Sequence, residues 1–129
     1  MINFRVERAA GVPAYLQLVR QVKEALRLGW LAPGDKLPVV RDVVATSGVN
    51  ANTVLKAYRE LDHAGIVEMR QGSGTYVTNA LAAIDSAMLD ELRTTLADWV
   101  SRARSAGLTD DDMATLLRSV LTAEGTTTE

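Results

Sequence analysis

No cysteine occurs in the 129 residues, which excludes disulfides, thiolate nucleophiles and thiolate metal sites and agrees with a reducing compartment. Histidine is nearly absent too. The single one, His63, has no partner at metal-ligand spacing and reads as a surface residue near a helix end. No nucleophile, base and orienting group stand in a recognisable set, so the chain is read as no enzyme, with no cofactor and no metal. Aromatics make up only 5% of the chain. No apolar run approaches the roughly 20 residues that span a bilayer. The opening stretch MINFRVERAA lacks the apolar centre of a signal peptide, so a cytoplasmic protein without a membrane partner is expected. A glycine-rich stretch, Gly72-Ser73-Gly74, is not followed by the helix with Lys-Ser or Lys-Thr that a phosphate-binding loop requires.

What is present is a hydrophobic fraction of 47% against 23% charged residues, enough for one compact domain and an appendage. The net charge of −2 hides an asymmetry: residues 1–80 carry 10 Lys and Arg against 7 Asp and Glu, residues 81–129 carry 4 against 9. The first part is therefore +3 and the second −5. Opposite signs suit two parts with different work.

Apolar spacing predicts a helix from Ala14 to Leu28, closed by Gly29, and then a turn at Leu31-Ala32-Pro33-Gly34-Asp35. Lys36 and Leu37 make a minimal strand. A short helix follows over Val39 to Thr46 and stops at Ser47-Gly48. Asn50 then caps a second helix that carries Val54, Leu55, Tyr58 and Leu61 on one side and runs to Ala64-Gly65. Two helices joined by a few residues with glycine between them form a helix-turn-helix. Next come two strand-like runs, Ile66 to Arg70 and Thr75 to Thr78, with a glycine-rich loop between them: a hairpin that stands as a wing.

From Leu81 the residues Ile84, Met88, Leu92, Leu96, Trp99 and Ala103 recur at helical intervals up to Gly107. At about 1.5 Å per residue such a helix reaches about 35 to 40 Å, more than the preceding domain needs for its own core. A last helix, Asp110 to Ala123, carries Met113, Leu116, Leu117, Val120 and Leu121 on one face. Asp110, Asp111 and Asp112, placed after Thr109, complement the positive end of that helix rather than gather a metal. The fold class is thus mainly α with a small β-hairpin. A winged helix-turn-helix is expected over residues 1–78, a helical dimerisation region over 79–125, and a frayed tail over 126–129.

A helix-turn-helix lays its second helix in the major groove of DNA, where residues of the first turns reach base edges. The candidate contacts are Arg41 on the first helix, Asn50, Asn52, Thr53 and Lys56 on the second, and Arg70, Gln71, Gly72 and Ser73 at the wing. Asparagine amides pair with adenine, while Arg and Lys neutralise phosphate. For dimerisation the candidates are Ile84, Met88, Leu92, Leu96, Trp99, Leu116, Leu117 and Val120.

Several runs together resemble GntR-type bacterial regulators: Pro13-Ala-Tyr15-Leu-Gln17-Leu18, Gly29-Trp-Leu31-Ala-Pro33-Gly34-Asp35-Lys-Leu37-Pro38, Arg41-Asp42, and Val49-Asn50-Ala-Asn52-Thr53-Val54. Ala57-Tyr58-Arg-Glu60-Leu61, Gly65-Ile66 and Gly72-Ser-Gly74-Thr75-Tyr76-Val77 extend the likeness over about residues 12 to 78. A tail of two helices looks like the YtrA subgroup. That resemblance implies a transcriptional regulator, most commonly a repressor, which binds a double-stranded DNA operator of two half-sites as a homodimer. It departs from the family pattern at Val39, where a capping serine is usual, at Val44 and Ala51, which replace alanine and proline, and at Leu55, where some relatives carry arginine. An effector is left open; with so short a tail, a small molecule would have to sit between helices or subunits. The alternative reading keeps the winged fold as a protein interaction module that does not bind DNA.

Overall fold

In the computed structural model of the chain, residues 2–8, 11–78 and 85–127 are described, with side chains through residue 123. They divide into two compact units, residues 1–85 and 86–129.

The first unit is built on α1 (Ala14–Arg27), α2 (Val40–Ser47) and α3 (Ala51–His63). Each helix buries one stripe at helical spacing: Leu18, Val22 and Leu26 from α1, Val43 from α2, and Val54, Ala57, Tyr58 and Leu61 from α3. Together with Leu37, Val67 and Val77 they form one closed core. Glycine ends α3: Gly65, at φ 79°, sends its N–H to the Asp62 carbonyl, and Ile66 sends its own to Leu61. Only a left-handed residue allows that reversal, and it launches the wing directly from the helix.

The wing is β1 (Val67–Arg70) paired antiparallel with β2 (Gly74–Val77), Val67 facing Val77 and Arg70 facing Gly74. Lys36 forms a single bridge with Tyr76, flanked by hydrogen bonds from Leu37 N–H to the Thr75 carbonyl and from Val77 N–H to the Asp35 carbonyl. The minimal strand expected at Lys36 and Leu37 is therefore one bridge wide. Tyr58 ties the parts together: its buried hydroxyl donates to the Pro38 carbonyl at 2.6 Å, fixing the approach to α2 from within α3.

The second unit consists of α4 (Ser86–Ser105) and α5 (Asp110–Thr127). Leu81 and Ile84, expected to open the first of these helices, lie outside the described residues. At 20 residues, α4 is about 30 Å long. It stops where Gly107 adopts φ 94° and Leu108 N–H returns to the Ala103 carbonyl. The final helix runs through Gly125 to Thr127, beyond the expected end at Ala123 and into the stretch 126–129 expected to be frayed.

Candidate nucleic-acid interface

The helix-turn-helix joint is held by short-range polar contacts. Gly48 caps α2 in the left-handed region at φ 73°, a conformation that costs a side-chain-bearing residue about 1–2 kcal/mol. Ser47 Oγ donates to the Val43 carbonyl and accepts from Val49 N–H. Asn50 then starts α3 as expected, its Oδ1 accepting from Asn52 N–H at 2.8 Å. Because the amide oxygen is used for this cap, the Asn50 side chain keeps its NH₂ donors for other partners.

With Val54, Ala57, Tyr58 and Leu61 buried, the opposite edge of α3 exposes Asn50, Ala51, Asn52, Lys56 and Arg59. Thr53 is half-buried and lines a hollow with Arg8, Gln17 and Asn50. Lys56 Nζ lies 4.1 Å from the centre of the Tyr15 ring. That contact holds the ammonium group against α1 while leaving it exposed, and draws Tyr15 into the candidate surface.

At the start of α2, Val39 provides no side-chain cap, so the departure from the family pattern leaves that helix end without its usual hydroxyl. Arg41 stands exposed in the first turn. Val39 also lines a hollow of about 500 Å³ whose remaining walls run from Met69 to Thr75. The wing tip and the start of α2 thus share one surface.

Within the wing, Arg70 is less free than its position in the sequence implied. Its Nε meets Glu68 Oε1 at 3.0 Å, and its guanidinium stacks 4.6 Å from the centre of the Tyr76 ring. Both charged side chains are about half exposed, so the pair adds little stability but sets the direction of the arginine. Gln71, Gly72 and Ser73 form the exposed tip, closed by Ser73 N–H to the Arg70 carbonyl, with Ser73 Oγ 2.9 Å from the Tyr76 hydroxyl. Lys36 lays its stem across Gly74, where an added Cβ would come within 2.5 Å of its Cε. Sequence reasoning placed none of Arg8, Tyr15, Lys36 or Tyr76 among the candidate contacts. Tyr15 stood in a quoted motif, but its contact with Lys56 joins residues 41 positions apart, which no local pattern reveals.

The second unit presents a different surface. Ala103 and Met113 are buried, whereas the expected dimer residues Met88, Leu92, Leu96, Leu116, Leu117 and Val120 are 42–53% exposed, joined by Leu121 at 63%. Trp99 is half-buried. Ile84 lies outside the described residues. The aspartates after Thr109 act as expected at a helix start: Asp112 N–H donates to Thr109 Oγ1, and Thr109 N–H donates to Asp112 Oδ2. Arg104 pairs with Asp110 at 3.0 Å. Among the described residues no group of acidic or histidine side chains is placed to hold a metal, and no helix is long and apolar enough to cross a membrane.

Residues 14–77 match the model of the gntR family of bacterial regulatory proteins. The HTH-type transcriptional regulator Rv1152 of Mycobacterium tuberculosis is 42% identical over 90% of this chain and 92% of its own length. The HTH-type transcriptional repressor YtrA of Bacillus subtilis is 35% identical over 81% of each chain. Among solved structures, the N-terminal domain of AraR in complex with mutant ORR3 superposes with a TM-score of 0.51 at 28% identity, covering 54% of this chain and 99% of that one. A winged helix-turn-helix with an Asn-capped second helix, relatives of matching length and a YtrA-type regulator among them converge on one assignment: the chain belongs to the GntR family, whose members are transcriptional regulators and not enzymes.

Proposed function

We propose that the chain is a sequence-specific DNA-binding repressor that works in the cytoplasm as a homodimer on an operator of two half-sites. The observation that carries this reading is the exposed polar edge at the start of α3, where Asn50, Asn52 and Lys56 stand free of the core, together with the exposed Arg41 and wing tip of the same unit. In this reading residues 1–78 bind DNA and residues 79–125 join two copies. Asn50 and Asn52 face base edges in the major groove, and amides of this kind pair with adenine. Thr53, half-buried beside Arg8, meets a phosphate. Arg41 and Lys56 neutralise phosphates on either side, while Arg70, Gln71, Gly72 and Ser73 meet the adjacent minor groove or backbone.

The relative from Bacillus subtilis is named a repressor, which supports that outcome here. Two recognition helices carried by a symmetric dimer would engage half-sites about one helical turn apart. A small-molecule effector would have to lie against α4 and α5 or between copies; the hollow along α4, lined by Arg93, Leu96, Val100 and Arg104, is open to solvent and offers no enclosed cradle.

Selection from a random duplex library should enrich a two-fold symmetric site. On that site Asn52→Ala should relax base preference, and Lys56→Ala should weaken binding across all sequences at matched salt. Failure to enrich any site would sink the proposal and return the interaction-module reading, whereas unchanged binding by both variants would overturn the roles given to Asn52 and Lys56.

A further inference from the structure

Residues 2–8 precede α1 and stand outside the family match, which begins at residue 14. Over residues 2–7 they form an arm outside any helix or strand whose side chains alternate, and Arg8 stands in a 3-10 turn at its end. Phe4 is buried, and Ile2 and Val6 pack half-buried against the core, whereas Asn3, Arg5 and Glu7 are exposed.

Two glutamines of α1 hold the backbone of this arm. Gln17 accepts from Glu7 N–H and donates to the Glu7 carbonyl, each at 2.8 Å. One helical turn on, Gln21 accepts from Arg5 N–H at 2.9 Å and donates to the Arg5 carbonyl. Each amide therefore satisfies both backbone groups of one residue, as a neighbouring strand would. Spacing explains why the pair works: four residues of helix rise about 6 Å, and two residues of extended chain about 6.6 Å. Gln17 also donates to the Val12 carbonyl, fixing where the arm turns into α1.

The next residue after the clamped Glu7 is Arg8. Its Nη2 lies 3.4 Å from the carbonyl of Gly48, the joint between α2 and α3. With Gln17, Gly48, Asn50 and Thr53 it lines a hollow of about 420 Å³ at the start of α3. No carboxylate pairs with Arg8 among the described residues. A guanidinium carries five N–H donors, so one long contact to a carbonyl leaves most of them available.

We propose that the N-terminal arm is a third DNA-contacting element, in which the Gln17 and Gln21 clamp holds Arg8 against a backbone phosphate beside the entry of α3 into the groove. This rests on the DNA-binding reading above. A phosphate contact is independent of base sequence, so sheared double-stranded DNA serves as the probe.

Affinity is measured as a function of salt for the full chain and for Arg8→Gln, Arg8→Lys and the Gln17→Ala/Gln21→Ala pair, with thermal melting to confirm that each variant is folded. Arg8→Gln should lower the slope of log affinity against log salt by about 0.9 for each arm engaged, with a several-fold loss of affinity at low salt. Arg8→Lys should retain the slope. Releasing the arm with the glutamine pair should give the same loss, and Arg8→Gln should add nothing on that background. Equal slopes for the full chain and Arg8→Gln would overturn the arm's role and leave DNA binding standing. Full additivity of the two changes would overturn the clamp. A full chain with no salt-dependent binding to duplex DNA would overturn both this inference and the reading it rests on.

Discussion

The two units solve the problem of burying apolar surface in opposite ways. In the first, three helices and a hairpin close on one another, and Leu18, Val22, Leu37, Val43, Val54 and Leu61 are almost wholly removed from water within one copy. In the second, α4 and α5 hold a comparable supply of Leu, Met and Val, yet among the described residues only Ala103 and Met113 are buried. Two helices cannot enclose a core between them when each carries an apolar stripe wider than their mutual contact. The difference shows that the first unit is self-sufficient in its packing and the second is not. A second copy of the same pair would cover the exposed faces, because a two-fold axis brings identical stripes together.

The contrast predicts that charge on the second unit will act on assembly and leave the first unit folded. Leu92→Glu combined with Leu117→Glu should convert the proposed dimer to monomer in sedimentation experiments. It should also reduce affinity for a two-half-site duplex by about 100-fold or more, since the second half-site no longer binds intramolecularly. The near-ultraviolet signal of Tyr58, buried in the first unit, should be unchanged. A stable monomer in the unsubstituted chain, with Leu92 and Leu117 open to water, would remove the basis for the contrast.

Within the closed unit the expected effects are energetic. Leu61→Ala leaves a cavity at the centre of the core and should cost about 2–5 kcal/mol of unfolding free energy, read from the urea midpoint. Tyr58→Phe removes one hydroxyl and leaves the Pro38 carbonyl without that partner, for an expected loss of about 1–2 kcal/mol. Burial pushes the Tyr58 phenol well above its usual range, so the group stays protonated and able to donate across ordinary pH. The loss in Tyr58→Phe should accordingly be the same at pH 6 and pH 9, values between which an ordinary tyrosine at about 10 is also largely protonated.

Much of this was legible in the sequence because it is local. Helix periodicity, the asparagine before α3 and the glycines after α2 and α3 act through neighbours a few residues away, so their spacing announces them. The limits of the hairpin followed from Gly72 and Gly74 for the same reason. Contacts that bring distant segments together left no such mark. Gln17 and Gln21 look like ordinary polar positions on an amphipathic helix until the arm is seen against them. Arg70 read as a free wing-tip cation because Tyr76 reaches it only across the strand pair. The reach of α5 past Gly125 was missed because a single glycine in a helix costs only about 1 kcal/mol relative to alanine, too little to stop one by itself.

The smallest effect concerns the joint between α4 and α5, where the second unit has its own local order independent of a partner. Thr109 caps α5 and Asp112 caps it in return, so Thr109→Ala should cost about 1 kcal/mol. The Asp112 carboxyl is held below the usual carboxylate range, first by the backbone N–H of Thr109 and then by the Thr109 side chain. A pKa lower in the folded than in the unfolded chain means that the unfolded state binds the proton more readily. The contribution of Asp112 is therefore fully present above the ordinary aspartate value of about 3.9 and fades as pH falls through the lower folded-state value. Asp112→Asn should flatten that part of the acid limb in a pH series of melting temperatures and leave the limb near neutrality unchanged. If the acid limb kept its shape, the reciprocal cap would not persist in solution, and the second unit would depend on its partner even for the ordering of its own helix ends.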